Sequence, residues 1–77
     1  MMNIENTDQI KEEQKLFSKR EVEILQLMAE GCTSKMIAEK LFISEHTVIA
    51  HRKNMQQKTG LSNAIALVYF AAKNDII

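Results

Sequence analysis

Arg52, Lys53 and Lys58 fall within positions 45–59, a stretch that holds a single acid, Glu45, and also carries His46 and His51. That stretch has a charge of +2 inside a 77-residue chain whose net charge is zero. Positive charge gathered in this way suits phosphate oxygens, and its natural partner is a polyanion. Other chemistries find no footing. Cys32 is the sole cysteine; it has no disulfide partner and no metal-ligand spacing around it, and it reads as a small loop residue. Ser18, Ser34, Ser44 and Ser62 each stand where a helix needs a cap, so none is left over as a nucleophile. No paired catalytic groups and no glycine-rich loop occur. We expect no catalytic residue, no metal and no cofactor, and the chain does not read as an enzyme.

Helices must position that charge. The chain has no proline, two glycines and no tryptophan, which argues against many short strands and for a few helices with short joints. Its 77 residues allow one domain. Ser18-Lys19-Arg20-Glu21 fits a capping box, with Phe17 ahead of it as a staple on Val22. Val22, Leu25, Met28 and Ala29, with Ile24 beside them, form an apolar face, and Gly31 suits a left-handed cap, predicting a first helix over 19–30. Thr33 or Ser34 caps a second over 34–41, with Ile37, Ala38 and Leu41 inside. Ser44 caps a third over 45–59, ended by Gly60. Ser62 caps a fourth over 63–74. The fold class is therefore all-α, with four helices. The polar residues 1–17 carry −2 against +2 for residues 18–77, and read as an arm, a linker or a short helix ahead of a domain at 18–77.

A short second helix, a three-residue joint Phe42-Ile43-Ser44 and a longer third helix make the helix-turn-helix plan. Ala38 is the small residue that lets the two helices approach, and Ile43 is the apolar plug of the turn. A helix about 10–12 Å across with its side chains matches the major groove of B-form DNA. At 100° per residue, Val48, His51 and Met55 define the inner side of the third helix. His46, Ala50, Lys53 and Gln57 fall opposite, with Ile49 at the edge, and Arg52 flanks the core side within reach of backbone phosphates. His51 reads as a packed histidine. Alone, Lys53 would be a solvated surface lysine; in this pattern it faces a ligand. The Glu21 and Glu23 carboxylates, with Lys19 and Arg20, read as capping and surface ion pairing.

The residues themselves resemble a known family. Phe17-Ser18-Lys19-Arg20-Glu21-Val22-Glu23-Ile24-Leu25 is similar to the opening of the LuxR/GerE-type helix-turn-helix domain of bacterial transcription regulators. Gly31 to Leu41 resembles its second element. Ile43-Ser44-Glu45-His46-Thr47-Val48, then His51, Asn54, Lys58 and Gly60, resembles its recognition helix. The likeness spans about 17–77, and it is the joint occurrence of these pieces in order that makes it specific. It implies a sequence-specific regulator, or its effector domain, with the third helix in the major groove and Ile49, Ala50 and Lys53 toward the bases. Candidate phosphate contacts are Thr33, Lys35, Ser44, His46, Thr47 and Arg52. His46 meets either phosphate or solvent, and Thr47 either contacts phosphate or helps cap its helix. Family members often carry lysine or arginine at the position of Ile49 and glutamate at that of Met36. Ile49 removes a donor and substitutes apolar surface.

The fourth helix is too apolar for a monomer of this size. With Leu67, Val68 and Ala71 inward, Ile65, Tyr69, Ala72 and Ile76 form a second stripe, which marks an interface. The resemblance implies that this helix pairs with its copy in a homodimer; the competing reading packs Ile65 and Tyr69 under the N-terminal arm. Double-stranded DNA is the expected partner and RNA polymerase a candidate second one. No stretch reaches the ~18 apolar residues of a membrane span, so a cytoplasmic protein is expected. Such a protein is either a stand-alone regulator or the last part of a longer one. The alternative function is a protein–protein module that uses the same scaffold, suggested by zero net charge and by Ile49.

Overall fold

Each of the four apolar-periodic segments folds as a helix, and local side-chain chemistry sets where each begins. The computed structural model describes residues 16–77; most of the arm or linker read at 1–17 lies outside the described residues. The helices are α1 (Lys19–Ala29), α2 (Ser34–Leu41), α3 (Glu45–Thr59) and α4 (Ala64–Lys73). No strand occurs among the described residues.

The capping box at α1 is complete. Glu21 N–H donates to Ser18 Oγ at 3.1 Å, and Ser18 N–H donates back to Glu21 Oε1 at 2.9 Å. Thr33, rather than Ser34, caps α2, and Ser44 caps α3. The cap of α4 is Asn63 and not Ser62: its Oδ1 accepts from Ala66 N–H at 2.8 Å. Both residues are of capping type, and the one nearer the apolar run takes the role.

Helix ends show one closing device repeated. Past α1, Gly31 (φ 91°) is left-handed and Cys32 N–H reaches back to Leu27 C=O at 3.0 Å, a six-residue closure of Schellman type. The same closure ends α2, from Ile43 N–H to Ala38 C=O at 3.0 Å, but on a left-handed Phe42 (φ 59°) in place of glycine. It ends α4 too, from Ile76 N–H to Ala71 C=O at 2.8 Å, around Asp75 (φ 58°). Ile76 therefore does not continue the outer stripe of α4. It turns back and packs, half-buried, against the core.

Every helix contributes to one core of Phe17, Ile24, Leu25, Ile37, Ala38, Val48, Met55, Leu67 and Ala71. Ala38 is buried and Ile43 packs against this cluster, as the helix-turn-helix plan requires. The buried face of α1 is centred on Ile24 and Leu25; Met28 is half-buried and Ala29 exposed, so the face lies nearer the start of the helix than the periodicity suggests. Phe17 goes further than a staple. It is buried, and its ring meets that of Phe70 edge-on, at 6.4 Å and 82°, a geometry that suits the quadrupoles of two aromatic rings.

Candidate nucleic-acid interface

Two helix starts carry exposed hydroxyls, and the first of them an exposed lysine. At α2, Thr33 Oγ1 accepts from Met36 N–H at 3.2 Å, and Lys35 is exposed beside it. At α3, Ser44 Oγ accepts from Thr47 N–H at 3.0 Å and shares a hydrogen bond with Thr47 Oγ1 at 2.8 Å. Both of these hydroxyls are thus engaged in capping; each still has lone pairs and faces solvent. His46 is exposed in the first turn of the same helix. The remaining amides of a helix's first turn have no intrahelical partner and attract anions.

Arg52 sets how these two starts sit. Its guanidinium Nη1 donates to Ser34 Oγ, tying the middle of α3 to the first turn of α2. A guanidinium has five N–H donors, so this bond leaves others for a phosphate while holding the side chain in place. Arg52 also borders a shallow depression of about 210 Å³ with Ile49, Lys53 and Gln56. Ile49 is 39% exposed, and Ala50 and Lys53 are exposed, whereas Val48 and Met55 on the opposite side of α3 are fully buried and His51 is half-buried. The outward face is therefore the one expected from the helical spacing, with Gln56 added to it. Among the described residues, Lys35 and Lys53 take part in no ion pair.

Two features escape the sequence. Glu21 is not a surface residue: it is buried, and Lys58 Nζ donates to its Oε1 at 2.8 Å. Lys58 also lies 5.8 Å from the centre of the Phe17 ring. This contact anchors the last turn of α3 to the first turn of α1. Among the described residues, Arg20 and Glu23 form the surface pair expected there, at 3.3 Å. Phe42 is the second. It is 93% exposed at the joint, while its neighbour Ile43, read as the apolar plug, packs against the core.

On α4, Ile65 (83%) and Tyr69 (65%) are exposed, with Ala72 beside them. Lys73 Nζ lies 5.9 Å from the Tyr69 ring centre. Three of the four expected stripe residues thus share an open face.

The family model described as bacterial regulatory proteins, luxR family, matches residues 15–71. The oxygen regulatory protein NreC of Staphylococcus aureus strain JH9 is 48% identical over 63 residues, which is 82% of this chain and 29% of that protein. NreC of strain USA300 matches equally. Among solved structures, the response regulator ChrA of a heme-sensing two-component system superposes with a TM-score of 0.75 at 40% identity, over 78% of this chain and 30% of that one. The chain spans under a third of the length of these relatives.

Proposed function

This chain belongs to the luxR family of bacterial regulatory proteins, a family of DNA-binding transcription regulators and not of enzymes, and we propose from that premise how it holds its operator. The third helix lies in the major groove with Ile49, Ala50 and Lys53 toward the base edges. Thr33 and Lys35 at the start of α2, and Ser44, His46 and Thr47 at the start of α3, hold the phosphates on either side. Arg52 contacts phosphate while fixing the angle between α2 and α3. The exposed face of α4, through Ile65, Tyr69 and Ala72, pairs two copies so that two recognition helices address two half-sites. No helix among the described residues is long and apolar enough to cross a membrane.

The observation that carries this reading is the outward face of α3. An exposed Lys53 that forms no ion pair among the described residues stands on it, and it is flanked by two helix starts with exposed hydroxyls. Phosphate contacts position a protein on DNA and base contacts specify the sequence, so Lys53 and Arg52 separate by experiment. Lys53→Ala is expected to cost about 1–3 kcal/mol on the preferred site and to relax preference at one base pair. Arg52→Ala is expected to weaken all duplexes alike and to flatten the salt dependence by about one unit of slope per protomer. Affinities from fluorescence anisotropy on specific and scrambled duplexes at several salt concentrations read both. Equal loss on all sequences for Lys53→Ala would reduce it to a phosphate contact, and no loss on any DNA would remove this face from the interface.

A further inference from the structure

We propose that Ile49 reads the 5-methyl group of a thymine lying within two base pairs of the position read by Lys53. This rests on the reading that α3 occupies the major groove with residues 49, 50 and 53 toward the bases.

The apolar residues of α3 divide sharply. Val48 and Met55 are fully buried, and the fold is served by them. Ile49 is 39% exposed at the edge of the outward face, next to an exposed Ala50. A β-branched residue on a solvent-facing helix position is a poor choice for helix stability. Nothing in the core calls for it. At Ile49 and Ala50 the outward face of α3 thus presents apolar surface where hydrogen-bonding groups would serve solvation better. In the major groove, thymine alone of the four bases offers an apolar group, its methyl, and aliphatic side chains are its partners.

Local geometry fits that ligand. Ile49, Arg52, Lys53 and Gln56 surround a shallow depression of about 210 Å³, apolar on the Ile49 side and hydrogen-bonding on the other three. A methyl projecting from a base edge enters against Ile49 while donors remain for neighbouring atoms. Lys53 follows Ile49 by one turn, and four residues of helix rise about 6 Å. Stacked bases are separated by about 3.4 Å along each strand. The thymine therefore lies within two base pairs of the base that Lys53 reads.

The test uses the full chain and the duplex it recovers from a random pool. Each thymine of that duplex is replaced in turn by deoxyuridine, which pairs identically and lacks only the methyl. One thymine per half-site is expected to show about a fourfold loss of affinity, the size of burying one methyl-sized group. Ile49→Ala is expected to lose about the same factor on the unmodified duplex, to keep its helix content, and to bind the thymine and deoxyuridine duplexes equally well at that position. If the parent chain is indifferent to deoxyuridine everywhere while Lys53→Ala still relaxes base preference, the thymine contact is overturned and the placement of α3 stands. A methyl effect that persists undiminished in Ile49→Ala assigns the contact to another residue and overturns the proposal. Lack of base preference in the parent chain overturns the placement of α3 and this proposal with it.

Discussion

Tyr69→Glu should leave the helices intact and abolish the dimer. Tyr69 is 65% exposed between Ile65 and Ala72 on the outer face of α4, so a single monomer tolerates a carboxylate there. In a two-fold pair the same patch meets its own copy, and one substitution introduces two charges. Unpaired buried charge costs about 3–5 kcal/mol, which is a hundredfold or more in the dimer constant. Lys73 lies 5.9 Å from the Tyr69 ring and offers partial compensation that is screened by salt, so the loss should deepen as salt rises. Circular dichroism, sedimentation equilibrium and affinity for single and paired half-sites read the outcome. The expected result is unchanged helix content, monomer mass and loss of the advantage of paired sites about 34–36 Å apart. Retention of the dimer would move the interface off α4.

Lys58→Met should destabilise the domain by about 2–3 kcal/mol, which for a domain of this size lowers Tm by about 10–20 °C. The substitution strands the buried Glu21 carboxylate, leaving it the Ser18 N–H as its hydrogen bond. Lys58 itself is 39% exposed in its side chain, so the pair is only half-sheltered and the cost falls below that of a fully buried one. Adding Glu21→Gln should recover much of the loss. The amide oxygen still accepts from Ser18 and no charge remains to be buried. Thermal denaturation of the single and double variants decides it; a Tm unchanged by Lys58→Met would mean that the pair contributes nothing to the fold.

Features settled by neighbours in sequence were legible from the residues. The capping box at Ser18, the cap at Ser44, the short α2 and the outward face of α3 all depend on spacings of three or four residues, and the cap of α2 narrows to Thr33 or Ser34. Where two capping types stand side by side, as Ser62 and Asn63 do, the choice slips by one. Features settled by distant neighbours were not legible. Glu21 and Lys58 are 37 residues apart, and nothing local distinguishes a capping glutamate that is buried under a distant lysine from one that faces water. Continuing the helical period of α4 puts Ile76 on the outer stripe. The helix stops at Lys73, where the Asn74 side chain donates to Phe70 C=O at 2.8 Å and Asp75 reverses the chain. The exposure of Phe42 is set by the left-handed closure of α2, which turns it outward while Ile43 packs against the core.

Selection of bound sites from random duplexes by the 77-residue chain, followed by a salt titration of the recovered site, tests the central claim most directly. The account predicts a recurrent half-site, present in pairs about one helical turn apart. It also predicts that log affinity falls with log salt at a slope of about −3 to −4, from Lys35 and Arg52 of two protomers on phosphates. Recovery of no common sequence, with binding that barely responds to salt, would contradict it and would make the helix-turn-helix a scaffold for a protein partner.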